Sequence, residues 1–253
     1  MRFQLAAARL AFAALLLAVL TAAAVVAGAR LRALPDEEAS ALMIPVTALG
    51  VAALVLALLW LRAAITSNQG AGKRLGLLAL IGSAVFLYPP LSYVYTGLVD
   101  LPVHDVSTDT EDPPQFAALA KIASANSRVF DGNRHIRYKG EDTTVAYALH
   151  DTYPLLTKPH AGLLTKPEAA FWRAHAVMEK LGWTIVDTDE KDLRIEATDK
   201  SFWFWRISDI VIRVRQAGTL GSRLDIRAES REGANDHGRN AARLKAFFEQ
   251  FKI

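Results

Sequence analysis

LRIEATDKSFWFWRISDIVIRVR, residues Leu193–Arg215, is the stretch whose reading decides the fold. Apolar and polar residues alternate through Leu193, Ile195 and Ala197, and the chain then turns at Asp199-Lys200. It crosses the aromatic run Phe202-Trp203-Phe204-Trp205 and alternates again through Ile210, Ile212 and Val214. Alternation with a period of two marks a half-buried strand. The stretch therefore predicts two strands, Leu193–Asp199 and Phe202–Arg215, the second bulged or split.

The same pattern extends on both sides. Arg223–Ser230 alternates through Leu224, Ile226 and Ala228, Trp183–Thr188 reads as a further strand, and TVAYALH (Thr144–His150) reads as the first. Thr165-Lys166-Pro167-Glu168 has the form of a helix start, with Thr165 as N-cap and Glu168 reaching back. That helix runs to about Leu181, carries Phe171, Ala174, Met178 and Leu181 on one face, and stops at Gly182. Asp236 caps a last helix with an apolar stripe of Ala241, Leu244, Phe247, Phe248 and Phe251.

The order β-α-β-β-β-β-α predicts an α+β domain, an antiparallel sheet with helices on one face. The apolar sets should face the helices. Arg194, Glu196 and Thr198, then Val211, Arg213 and Arg215, then Arg223, Asp225, Arg227 and Glu229 should form a solvated face. TATA-binding-protein-like and helix-grip architectures share this order, an analogy of fold alone.

Upstream the composition changes. Three apolar runs, roughly Leu5–Ala27, Leu42–Leu61 and Leu75–Tyr95, reach the ~20 residues that cross a ~30 Å hydrocarbon core. The first is too long for a signal-peptide core and is read as a retained helix. No run has an ionisable residue at its centre, which argues against an ion or proton path. Pro89-Pro90 predicts a kink in the third, and Trp60, Tyr88, Tyr93 and Tyr95 fit interfacial anchors.

Placing Arg2, Arg9, Arg62, Lys73 and Arg74 inside, against Arg30 and Arg32 outside, puts the N-terminus in the cytoplasm. Three spans then leave the C-terminal domain outside, on the periplasmic face of a bacterial inner membrane. The chain divides into an anchor (1–99), an acidic, proline-containing connector (100–142) and the α+β domain (143–253). Within the connector Phe116, Leu119 and Ile122 have helical spacing, and the carboxylates of DVSTDTED lack the spacing of a calcium loop.

Charge and cysteine exclude several classes. Residues 1–99 hold seven basic and three acidic residues, and the remainder hold 22 and 23, so the basic excess flanks the membrane. A nucleic-acid footprint would mass it on the soluble part. The chain has no cysteine, which removes disulfides, thiolate nucleophiles and Cys-based metal sites. The six histidines show no metal-binding spacing, and no cofactor is implied.

Ordered motifs carry a family resemblance: Tyr153-Pro154, Leu181–Trp183 (LGW), Ile195–Phe204 (IEATDKSFWF), Asp209–Arg215 (DIVIRVR), Gly221–Arg231 (GSRLDIRAESR) and Asn240–Arg243 (NAAR). With Asp105–Phe116 (DVSTDTEDPPQF) upstream, residues 100–253 resemble the DUF1499 family, whose members are typically membrane-associated. Ser208 departs from the acid that many members carry beside Asp209, which weakens a paired-carboxylate site. The resemblance implies no reaction.

Candidate functional residues cluster at the strand ends. Phe202, Trp203, Phe204 and Trp205 offer apolar groups to both sheet faces, one pair to the core and the other to a lipid-facing lip or groove unless covered by residues 100–160. Asp199, Asp209, Arg213, Arg231 and Arg243 form either a salt-bridge set joining strand ends to the last helix or an Arg-lined pocket for an anionic head group. These features point to a non-enzymatic binding module for membrane lipid, a hydrophobic ligand or an envelope protein. The alternative is an envelope hydrolase using His150, Asp151, His160 or Asp209.

Overall fold

The three apolar runs form helices α1 (Arg2–Arg30), α2 (Asp36–Ser67) and α3 (Lys73–Val99) in a computed structural model. The structure describes residues 2–67, 71–99, 101–157, 160–163, 166–219 and 221–251. All three helices are long and apolar enough to cross a membrane. Met1–Tyr95 with Phe202–Trp205 makes one compact unit, and Thr96–Ser201 with Arg206–Ile253 makes the other.

Small residues let the helices approach. Ala11, Ala57 and Ala79 share one fully buried cluster, and a Cβ on Gly76 would lie only 2.3–2.4 Å from the ring of Trp60. Such contacts favour association where hydrophobicity gives no preference for protein over lipid. Trp60 is buried, and its Nε1 donates to the carbonyl of Ala71 at 3.0 Å. Helix α3 continues through Pro89-Pro90, and Ser92 Oγ donates to the Pro89 carbonyl at 2.8 Å.

The second unit is built on a six-stranded antiparallel sheet. Its strands are β1 (Asp105–Ser107), β4 (His160–Leu163), β5 (Thr184–Asp189), β6 (Arg194–Lys200), β7 (Ile207–Ala217) and β8 (Gly221–Ser230). They lie in the order β1-β8-β7-β6-β5, with β4 also paired to β8. A hairpin of β2 (His135–Tyr138) and β3 (Glu141–Thr144) stands apart. The register aligns Ile195 with Ile212 and Ile226, and Ala197 with Ile210 and Ala228. These six are fully buried in the core with Phe171, Ala174 and Met178 of α5 (Pro167–Lys180) and Leu244, Phe247 and Phe251 of α6 (Arg239–Phe251). The apolar face thus meets the two helices, as the alternation predicts.

Three expectations change. TVAYALH is not a strand but most of helix α4 (Val145–Thr152), with Thr144 as its N-cap accepting from the Tyr147 N–H. Val145, Ala148 and Leu149 point inward at positions i, i+3 and i+4, a helical period hidden in a seven-residue window. The first strand of the β-α-β-β-β-β-α order is β4 instead. The capping role assigned to Thr165 lies outside the described residues, and Lys166, which precedes Pro167, makes no side-chain cap bond.

Half of the face expected to be solvated is buried, and Arg194, Thr198, Arg213, Arg215 and Arg223 stay partly exposed. Glu196, Val211, Asp225, Arg227 and Glu229 have no exposed surface. The segment read as a connector supplies β1, a 3₁₀ turn at Leu119–Lys121, β2 and the start of β3, and Phe116 and Leu119 pack on Val211.

The aromatic run leaves the strand altogether. β7 begins only at Ile207, and Ser201–Arg206 forms a loop closed by Ser201 N–H to the Arg206 carbonyl at 2.9 Å. Trp205 adopts φ +54°, which interrupts the alternation.

Candidate functional site

Strand β8 places Arg223, Asp225, Arg227 and Glu229 at alternate positions on one face, and β7 adds Asp209, Arg213 and Arg215 beside them. Buried charges must be paired and hydrogen-bonded to offset desolvation. The chain meets that requirement with groups drawn from the segment N-terminal to the sheet helices.

Arg227 grips Asp105 through Nε (3.0 and 3.1 Å) and Nη2 (2.7 Å), and donates to the carbonyls of Pro114 and Arg128. Phe116 lies 5.0 Å from its guanidinium, within cation–π range. Glu196 accepts the backbone N–H groups of Ala117 (2.6 Å), Ala118 (3.2 Å) and Leu119 (2.7 Å), anchoring the 3₁₀ turn. Arg194 donates to the same carboxylate at 3.1 Å.

Asp209 receives Arg231 at both oxygens (2.8–3.1 Å) and Arg128 at 2.6 Å. Burial raises the Asp105 carboxyl above the ordinary carboxylate range, opposed by Arg227. Glu229 is the exception in this layer. Its Oε2 stands 3.5 Å from Arg227 and 3.7 Å from Arg128, and its Oε1 has no hydrogen-bond partner. Burial, and then the neighbouring Asp105, push this carboxyl up to about 7.

The five charged residues singled out from the sequence fall into three groups. Asp209 pairs with Arg231. Asp199 accepts from Arg243 at 2.6 Å, and Arg243 also donates to Asn240, which ties the end of β6 to α6. Arg213 lies elsewhere, on Asp225 (3.1 Å) and the Asp112 carbonyl (2.6 Å). Asp236 caps the last helix as expected, accepting from Asn240 N–H at 2.6 Å and Gly238 N–H at 2.9 Å. Burial raises its carboxyl to about 6.

Of the residues of the hydrolase alternative, His150 and Asp151 are neighbours on α4, and Asp209 lies on β7. His150 is exposed, with Nδ1 3.3 Å from Thr157 Oγ1. Asp151 accepts from Tyr138 Oη at 2.6 Å and Lys139 Nζ at 2.7 Å, and these bonds hold its carboxyl below the usual range. His160 belongs to β4, and its side chain lies outside the described residues. Among the described residues no three His, Cys, Asp or Glu side chains are grouped to hold a metal ion.

The aromatic run belongs to the helical unit. Phe202 is 73 % exposed, Trp203 49 % and Trp205 48 %, while Phe204 packs beside Val25, Ala29, Ala39 and Val46. Arg30 donates to the carbonyls of Phe202 and Trp203, and its guanidinium lies 5.3 Å from the Phe202 ring centre and 5.4 Å from that of Trp205.

Sequence reasoning missed Asp105, Arg128, Glu196, Arg227 and Glu229 as a buried set. One signal was present: β8 carries Arg-x-Asp-x-Arg-x-Glu on one face while DVSTDTED supplies acids that match its arginines.

A family model described as "Protein of unknown function (DUF1499)" matches residues 105–251. The match runs from the first residue of β1 to the last of α6, so it includes the segment that covers the polar face. No curated protein and no solved structure matches the chain.

Proposed function

We propose that this chain, which belongs to the DUF1499 family, is a membrane-anchored, non-enzymatic module that binds a hydrophobic or lipid-like ligand through its aromatic loop. The observation that carries this reading is the exposure of Phe202, Trp203 and Trp205. The core of the soluble unit is complete without them, for its 24 buried members include none of the four aromatics. Exposed Phe and Trp beside an arginine match the apolar-plus-cationic character of a membrane interface. The carboxylates that a hydrolase would need, Asp209 and Asp151, are engaged by cations.

The reading places the soluble unit on the periplasmic side of a bacterial inner membrane, supported by five basic residues on the N-terminal side against two on the other. A C-terminal alkaline phosphatase fusion should be active and a GFP fusion dark; the reverse pattern would overturn this orientation. Native mass spectrometry of the full chain in mild detergent tests the binding role. Lipid should co-purify with the wild type and be lost from a Phe202→Ser, Trp203→Ser, Trp205→Ser triple variant. Equal lipid retention by both proteins would refute a role for the loop.

A further inference from the structure

The ion-pair layer of the soluble unit is bordered by an open cleft of about 800 Å³. Its walls are the segment Thr108–Asp112, His150 of α4, Thr157, Arg215 and Gln216 of β7, and Arg223 of β8. The volume falls within the roughly 300–1,000 Å³ usual for small-molecule sites, but those are mostly apolar. Here every lining residue carries a polar side chain.

The cleft is preorganised around buried Asp109. Its Oδ1 accepts the N–H groups of Glu111 (3.2 Å) and Asp112 (2.9 Å), and its Oδ2 receives both Arg223 and Arg215. Fully buried Asp225 holds the same two arginines from behind, each at 2.9 Å. The guanidinium planes are therefore fixed while retaining N–H groups beyond those pairings. The Glu111 carboxylate and Thr110 hydroxyl make no side-chain hydrogen bond or ion pair among the described residues.

Charge narrows the ligand class. Two arginines face three acids, Asp109, Glu111 and Asp112, so a phosphate or sulfate would meet net repulsion. An apolar molecule would strip water from charges and give nothing back. A ligand rich in hydroxyls can accept from arginine and donate to carboxylate with one functional group. We propose that this cleft binds a neutral saccharide, with Arg215 and Arg223 donating to its hydroxyl oxygens and Glu111 accepting from its hydroxyl protons, while Asp112 stays paired with Arg215 at 2.7 Å. The site shares no residue with the aromatic loop and does not depend on the lipid-binding reading.

The test is saturation-transfer difference NMR on the full chain in polyoxyethylene-ether micelles, which carry no sugar head group. The probes are glucose, mannose and N-acetylglucosamine trisaccharides, with inorganic phosphate as competitor. At least one trisaccharide should receive transfer, and phosphate at equal concentration should not displace it. Arg215→Lys and Glu111→Ala should each weaken its binding about tenfold, the loss of one charge-assisted hydrogen bond. The Glu111 side chain has no partner among the described residues and its backbone N–H bond to Asp109 survives the substitution, so its variant remains informative even where Arg215→Lys loosens the sheet. Absence of transfer to every trisaccharide, wild-type affinity in Glu111→Ala, or displacement by phosphate would each overturn the proposal.

Discussion

Glu229→Gln should stabilise the soluble unit at alkaline pH and leave it nearly unchanged at acid pH. The Glu229 carboxyl is fully buried and titrates near 7 in the folded chain, against 4.5 for an ordinary glutamate. Between those values the folded state holds a proton that the unfolded state has released. Stability therefore falls as pH rises from about 4.5 to about 7 and then levels off. At 1.36 kcal/mol per unit, the raised value amounts to about 3 kcal/mol of lost stability above pH 8. Glutamine keeps the shape and cannot ionise, so it escapes that loss.

For a domain of about 150 residues, 3 kcal/mol corresponds to roughly 6–12 °C in Tm. Intrinsic-fluorescence melts of the full chain in detergent, wild type against variant, should show that gain at pH 8.5 and about a quarter of it at pH 5. Asp236, whose carboxyl is also raised, shifts both proteins alike and cancels in the comparison. A variant less stable than wild type at pH 8.5 would refute the reasoning. It would mean that ionised Glu229 is stabilised by Arg227 and Arg128 despite their separations of 3.5 and 3.7 Å.

Two further outcomes probe the ion-pair layer and the helices. Arg231→Met removes the two-toothed partner of buried Asp209 but leaves Arg128 on it at 2.6 Å, and should cost about 2–3 kcal/mol in denaturant unfolding. The double variant Asp209→Leu, Arg231→Met should recover part of that loss, and strict additivity would argue against the pairing. In the helical unit, Gly76→Val drives a side chain into the Trp60 ring and should lower the detergent-solubilised Tm by several degrees. Adding Trp60→Ala should restore part of it; a Gly76→Val variant that melts like wild type would count against the close α2–α3 approach.

The elements that were legible from sequence share one property: their signal is local. Each apolar run contains its own length criterion, and each becomes a helix long enough to span a membrane. The alternation of Ile195, Ile210, Ile212 and Ile226 assigned these residues correctly to the helix-facing side. The stripes on α5 and α6 needed only the helical period. Where the window was short, period failed as a guide. TVAYALH satisfies two readings, and Thr144 capping with burial of Val145, Ala148 and Leu149 selects the helix.

Tertiary structure alone decided the character of the other sheet face. Alternation states that a strand has two different sides, but it does not say what covers the polar one. An arginine or glutamate has the same letter whether water or an opposite charge satisfies it. The partners here are distant along the chain: Asp105 for Arg227, Arg128 for Asp209, and the amides of 117–119 for Glu196. The aromatic run of the opening stretch behaves likewise. Its residues are strand formers by propensity, yet closure of the Ser201–Arg206 loop and the positive φ of Trp205 take them out of the sheet and leave three of them exposed. Local pattern therefore determined the layers and their apolar faces, whereas long-range pairing determined which charges are buried and which aromatics face outward.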